Sequence, residues 1–379
     1  MVDEAGCAEQ KINIRRKGLD ADGKDHPGRV VALDGIRLFA ALCVVVYHYI
    51  AYQYVAFGGG WRTDTKELFP RAFPVAAYGW LGVELFFLIS GFVICMSCWG
   101  KPVRGFFVSR AVRLFPAYWF GVVATTLVVA VIPGPQKPRP WWDVLTNLTM
   151  LQEPLGVQDV DGVYWTLFAE LRFYLLFALM CWWGLTYRRV LIFCGAWMAA
   201  SALCAGAGDG PLRMLVMPEC SWYFIAGVAF YLMYRFRPNV LLTGMVLTCF
   251  CASLPFAHTT WSHLRTYLGH TVPYWPVVVV VGMWFVLMAF LATGRLSWVT
   301  CRWLPVAGAL TYPLYLLHEC IGWQITHVMG ERVPPHVIVP LVVAGMLVVS
   351  WFVHRYVERP AGRWLRTRMV QAFAQVKGR

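Results

Sequence analysis

The sequence predicts an all-α integral membrane protein, a polytopic bundle of about ten transmembrane helices. Three observations predict it. Of 379 residues, 59% are hydrophobic and only 14% are charged; the mean hydropathy is +0.56; and apolar stretches of spanning length recur along the whole chain. Helices suit such stretches because each satisfies its own backbone polar groups inside lipid.

In order, the stretches fall at 36–54, 79–98, 116–133, 165–184, 189–206, 218–234, 239–256, 274–293, 305–326 and 337–354. Residues 1–32 are polar and charged, without the h-region and small-residue cleavage site of a signal peptide, and are expected to form a disordered cytoplasmic tail. Residues 33–360 form one transmembrane domain. Residues 361–379 form a basic cytoplasmic C-terminal tail suited to an anionic inner leaflet. Ten spans bring the C-terminus back to the side of the N-terminus. Threaded this way, Lys and Arg favour the cytoplasmic side by roughly three to one, the positive-inside pattern. That bias accounts for the net charge of +13 without nucleic acid. The expected setting is an inner or plasma membrane with both termini cytoplasmic and membrane lipid as the constant partner; the pattern sets no oligomeric state.

The segment 134–164 enters through PGPQKPRPWWDVL, where clustered prolines force an extended path. A short interfacial helix is expected around 141–152, lining a cavity open to the outside. Most of the twelve cysteines fall inside predicted spans and read as small packing residues. Cys95 and Cys98 form a C-x-x-C pair, but neither a second pair nor a His-x-x-x-His accompanies it, so no metal site is expected.

Ionisable residues inside the spans carry the functional signal. The first span, VALDGIRLFAALCVVVYHYIAYQY, holds Arg37 and His48. Eleven residues make about three helical turns, so both face one side, roughly 16 Å apart along the axis. The second span, GWLGVELFFLISGFVI, holds Glu84 near its start and Ser90-Gly91 at its middle. The fourth, YWTLFAELRFYLLF, opens near Trp165 and sets Glu170 and Tyr174 one turn apart, with Arg172 on another face. The ninth, AGALTYPLYLLHECIGWQITHV, carries Tyr312, Tyr315, His318 and Glu319, with Pro313 removing one backbone bond. Each group alone reads equally well as a satisfied polar residue of a packed bundle. Four spans carrying them together point to a site.

Between the second and third spans lies GKPVRGFFVSRAVRLFPAYW, with Arg104, Arg110 and Arg113 interleaved with phenylalanines. Arg110 and Arg113 share a helical face and present two guanidinium forks to an anion such as a phosphate or pyrophosphate. An amphipathic helix holding the inner leaflet is the competing reading. Trp61, Trp141, Trp142 and Trp165 offer faces for sugar stacking, or an interfacial aromatic belt.

Six segments in order, LDGIRLFAALCVVVYH, GVELFFLISGFVI, SRAVRLFPAYW, WTLFAELRFYLLF, LTYPLYLLHE and RYVERP, resemble the acyltransferase 3 family of membrane-bound O-acyltransferases and together cover residues 33–360. The resemblance implies a ten-helix fold that moves an acyl group, often acetyl from acetyl-CoA, onto a hydroxyl, usually of a sugar. It carries the family's essential arginine and histidine to Arg37 and His48, its cytoplasmic arginine motif to Arg110 and Arg113, its span-four glutamate to Glu170 and its late histidine to His318. The implied roles are catalytic for His48, Arg37 and Glu170, and donor binding for Arg110 and Arg113. Glu84, Tyr174, His318 and Trp165 are expected to bind substrate, with acyl-CoA as donor substrate and no permanently bound cofactor. The chain departs from the family pattern at Ser109 and Val112, where further basic residues are common, and at Glu84, which is commonly Asp. Many relatives carry a C-terminal SGNH hydrolase-like domain that this sequence does not show, so transfer to the final acceptor is expected from this chain alone. The alternative is an exporter of a glycan or acylated metabolite, although paired broken helices of inverted repeats are not evident.

Overall fold

The computed structural model describes residues 30–52, 60–206, 208 and 210–377, and every regular element among them is helical. Short helical turns apart, the elements are α1 (Val31–Val46, continued by a π-helical turn at Tyr47–Ala51), α2 (Gly82–Cys98), α3 (Val103–Val131), α4 (Trp141–Asn147), α5 (Trp165–Trp183), α6 (Tyr187–Cys204), α7 (Ser221–Phe236), α8 (Val240–Leu268), α9 (Trp275–Ala292), α10 (Leu304–Leu317), α11 (Glu319–Met329), α12 (Pro335–Val353, continued by a π-helical turn at His354–Glu358) and α13 (Arg359–Lys377). This is an all-α polytopic membrane protein. Most of the expected N-terminal tail, residues 1–29, lies outside the described residues, and α1 already begins at Val31.

Eight helical segments among the described residues are long and apolar enough to cross a membrane. Two of the ten expected spans fall short. One is α6, whose first turn carries Arg188 and Arg189. The other is the ninth stretch, which divides at His318 into α10 and α11. The cause of that division is a rerouted backbone. The Cys320 amide donates to Asp161 Oδ2 at 3.2 Å rather than up its own helix, and the Leu316 carbonyl accepts from the Tyr164 hydroxyl at 3.4 Å. The short helix expected near 141–152 is present as α4, with Trp141 and Trp142 both exposed.

The arginine-rich segment is not a separate interfacial helix. Pro102 precedes the first turn, and the chain then runs unbroken through Pro116 for 29 residues as α3, so Arg110 and Arg113 stand on the same rod that crosses the bilayer.

Lipid is as apolar as leucine, so helices here associate through close packing and small residues. A Cβ on Gly91 of α2 would stand 2.1 Å from the Phe224 carbonyl, and one on Gly227 of α7 would stand 2.1 Å from the Leu88 carbonyl; only glycine admits this approach from both sides. Gly79 and Gly82 let α2 and its lead-in meet the Cys43 and Ala40 carbonyls of α1 in the same way.

Two apolar cores result. One joins α2, α7, α8 and α9 through residues such as Phe87, Phe92, Phe224, Phe230 and Phe285. The other joins α3, α10, α11 and α12 through Tyr118, Val122, Leu314, Trp323 and Ile338. Helices α1 and α5 belong to both: Ala40 and Phe173 pack in the first core, Ala41, Val44 and Leu167 in the second. The polar residues of the spans collect along this seam.

Candidate functional site

A cavity of about 820 Å³, part of it open to solvent, lies on the seam and is lined from α1, α2, α3, α5 and α10. It gathers Arg37, Arg110, Arg113, Glu170 and Tyr174, residues from three distant stretches of sequence, together with Ser90, Thr166, Tyr312 and Tyr315. Three guanidinium groups and one carboxylate line it, so the lining itself is cationic, with Asp34 near Arg37 and Glu358 paired to Arg113 behind it. Arg37 has Arg113, Asp34 and Glu170 as its charged neighbours. Arg110 sits 5.8 Å above the Tyr174 ring, and its Nε is buried without a hydrogen-bond partner. Arg113 lies 5.9 Å from the centre of the Tyr312 ring. Glu170 Oε1 accepts from the Ser90 hydroxyl at 2.5 Å. The far walls are apolar, with Val83, Phe86, Phe87, Ile89 and Leu167. A cationic mouth with a greasy interior suits an anionic head joined to an apolar or acyl-bearing tail.

The histidines form a second group beyond this cavity. His48, in the π-helical turn that ends α1, is buried, and its Nδ1 lies 3.1 Å from His318 Nε2. Their neighbours fix the proton positions. His318 Nδ1 faces only carbonyl oxygens, those of Tyr315 at 2.9 Å and Leu314 at 3.2 Å, so it carries a proton. His318 Nε2 is then a lone pair and accepts from His48 Nδ1–H. In the neutral ring His48 Nε2 is then the base, 3.7 Å from Glu319 Oε1. The backbone is held as firmly: Trp323 Nε1 donates to the His48 carbonyl at 3.0 Å, and the Tyr49 hydroxyl donates to the His318 carbonyl at 2.6 Å. Asp161 lies beside Glu319 and accepts from the Cys320 and Val163 amides; burial pushes its carboxyl upward, against the pull of those bonds. Glu319 Oε2 is buried with no partner.

Arg37 and His48 therefore stand on one helix but open onto different groups. Tyr315 belongs to both, since it lines the cavity and its ring centre is 5.7 Å from that of His318. Its hydroxyl is 2.9 Å from that of Thr166, and its ring meets Phe86 edge to face at 5.7 Å. Glu84 lies apart, buried between α2 and α7 near Tyr223 and Cys220, with Oε2 unpartnered. Trp165 is 42% exposed and meets the edge of Phe87 rather than the cavity. Trp61 is buried and donates to the Tyr49 carbonyl, which ties the chain ahead of α2 to the end of α1. Arg172 points away, as its register implies, and donates to the Met214 carbonyl at 2.8 Å. Among the described residues no cluster of His, Cys, Asp and Glu could hold a metal ion.

Tyr312, Tyr315 and Glu319, singled out in the sequence without individual roles, join these groups, as do Thr166 and Asp161, which the sequence did not single out. Thr311, Tyr315 and His318 recur at four and three residues, a polar stripe on an otherwise apolar helix, and that spacing was the available signal. Asp161 gave none, because its part depends on a contact with residues some 160 positions away.

Comparison with known proteins agrees with this picture. The "Acyltransferase MdmB" of Streptomyces mycarofaciens is 29% identical over 194 residues, 47% of each chain. "Nodulation protein 10" of Rhizobium leguminosarum bv. viciae is 26% identical over 243 residues, 56% of this chain and 62% of that one. The protein YrhL of Bacillus subtilis (strain 168), provisionally named a peptidoglycan O-acetyltransferase, is 23% identical over 399 aligned positions, 92% of this chain and 57% of that one. The chain thus spans roughly half to three fifths of the curated relatives it matches. No solved structure matches significantly. The family model Acyl_transf_3, described as an acyltransferase domain, covers residues 30–355 and so takes in both polar groups, and the chain belongs to this acyltransferase family.

Proposed function

We propose that the protein is a membrane-bound O-acyltransferase that moves an acyl group, acetyl in the simplest case, from acyl-CoA to a hydroxyl of a carbohydrate or glycosylated natural product. The observation that carries this reading is the pairing of a three-arginine cavity with a buried histidine whose Nδ1 is committed to His318. Pyrophosphate and the ribose phosphate of CoA match guanidinium forks, and Arg110 and Arg113 supply two of them at the mouth. On the threading read from the sequence, the positive-inside bias supports a cytoplasmic position for that mouth, where acyl-CoA is made.

In the reaction the acceptor O–H gives its proton to His48 Nε2, its oxygen forms a bond to the acyl carbon, and the C–S bond breaks. The proton then passes from His48 to the departing thiolate. His318 keeps His48 in the competent tautomer throughout. Arg37 and Glu170 act at the donor end, Arg37 on the anionic head of acyl-CoA beside Arg110 and Arg113, and Glu170 through Ser90 on the cavity wall. Membership in an acyltransferase family favours this reading over an exporter.

The test uses purified protein in lipid discs with radiolabelled acetyl-CoA and a panel of glycans and glycosylated acceptors. Wild type should release CoA and label an acceptor hydroxyl. General base catalysis contributes on the order of 10² to 10⁴ in rate, so His48→Ala should lose that much with unchanged yield and fold. Activity within a few-fold of wild type would remove His48 from the mechanism.

A further inference from the structure

The RYVERP segment ends the family resemblance, yet the reaction makes no use of it. Its geometry ties it to the donor cavity. The π-helical turn His354–Glu358 follows α12, and Glu358 within it is buried at 8% exposure. Glu358 Oε1 accepts from Arg113 Nη1 at 3.2 Å, an ion pair closing 245 residues of chain. Its Oε2 faces His354 Nδ1 at 2.8 Å, and Arg359 Nε donates to His354 Nε2 at 3.1 Å. The directions are therefore set. His354 Nε2 accepts from Arg359, so the His354 proton sits on Nδ1 and is donated to Glu358. Both carboxylate oxygens are thereby committed, and the second is held by a group that is itself held.

The wider turn of the π-helix makes this possible, because it returns residues i+4 and i+5 together beneath residue i. His354 thus meets Glu358 and Arg359 at once. Arg113 is the cavity residue that benefits. It is 37% exposed, with Tyr312 on its face and Glu358 on one nitrogen, leaving the rest of the fork to the cavity. Arg110 has no such brace: its hydrogen bond goes to the adjacent Ser109 hydroxyl at 3.1 Å.

We propose that Glu358 is a positioning residue for the donor site, holding Arg113 in the orientation that receives a phosphate of acyl-CoA, with His354 and Arg359 holding Glu358 in turn. This rests on the reading of the cavity as the acyl-CoA site. A carboxylate that merely stapled the C-terminal helix α13 to α3 would affect heat stability and not donor affinity.

The experiment compares wild type, Glu358→Gln, Arg113→Ala and the double variant in lipid discs, measuring KM for acetyl-CoA, kcat and the thermal midpoint. Glu358→Gln keeps the shape and removes the charge. It should raise the donor KM on the order of fivefold with kcat within about twofold. Arg113→Ala should raise KM at least as much, and the double variant should be no worse than Arg113→Ala, because Glu358 acts through the arginine. Glu358→Asp, which restores the charge at shorter reach, should recover part of the loss. Multiplicative KM effects in the double variant, or a fall in thermal midpoint with an unchanged donor KM, would overturn the proposal while leaving the donor site standing. If Arg113→Ala itself leaves the donor KM unchanged, the reading of the cavity falls, and the positioning role falls with it.

Discussion

At the scale of single residues, the chemistry is decided by which atoms are already spoken for. His318 Nδ1 has only carbonyls to face, and from that one constraint the lone pair of His48 Nε2 follows. The same reasoning applies to the carboxylates of the segment ahead of α5. Asp159 is raised from 3.8 to about 6, chiefly by burial, while a 2.7 Å hydrogen bond from Gln152 and the charge of Arg139 pull the other way. A folded-state value above the unfolded one means that the folded protein prefers the protonated acid. This contribution is fully present below about 3.8 and is lost as pH rises through about 6. Asp159→Asn keeps the acceptor for Gln152 and cannot ionise. It should stabilise the protein by about 1 kcal/mol at pH 8 and by nothing at pH 4, after allowance for partial solvent screening. Thermal midpoints at the two pH values check this; equal effects at both would remove ionisation as the cause.

At the scale of elements, three of the buried ionisable groups sit at departures from regular helix. His48 and Glu358 each lie in a π-helical turn, and His318 lies where Asp161 draws the Cys320 amide out of its ladder. The regular parts do the opposite work of holding helices close. Gly227→Ala would drive a Cβ to 2.1 Å from the Leu88 carbonyl, a backbone atom that cannot rotate aside. Overpacking of this kind costs about 1–3 kcal/mol, so the variant should melt lower than wild type. A variant as heat-stable as its parent would mean that α2 and α7 separate freely.

The elements also show what could be read in advance. Helical periodicity and apolar length identified the membrane class, because those signals are local, while the one face expected for Arg37 and His48 gives way to a π-helical turn at His48 that opens it onto a different group. The expected span 116–133 starts at Pro116, but the helix runs through that proline and takes in the arginine segment, because the backbone absorbs the one lost bond. The division at His318 and the brace on Arg113 depend on Asp161 and Glu358, which are distant in sequence. Trp165 and Glu84 have the right residue types and periodicity for substrate contact, but neighbouring helices direct them elsewhere.

At the scale of the whole molecule, two apolar cores share α1 and α5, and the cationic cavity and the histidine pair lie in series along that seam. Tyr315 stands in the wall they share, fixed by Thr166 on its hydroxyl and Phe86 on its ring. If the donor sits with its phosphates at Arg110 and Arg113 and its acyl group is to reach His48, this ring must move or the two cores must part around it. The tyrosine then has a second effect, keeping water and the acyl thioester apart when no acceptor is present. Tyr315→Ala removes the ring and joins the two spaces. The expected outcome is a rise of several-fold in acceptor-independent CoA release, with the ratio of transfer to hydrolysis falling accordingly. Tyr315→Phe keeps the ring and loses only the Thr166 contact, so it should lie between the two. Measuring CoA release from acetyl-CoA with and without acceptor separates these outcomes. Were Tyr315→Ala to leave both rates within twofold of wild type, the acyl group would have to approach His48 by a path that avoids this wall.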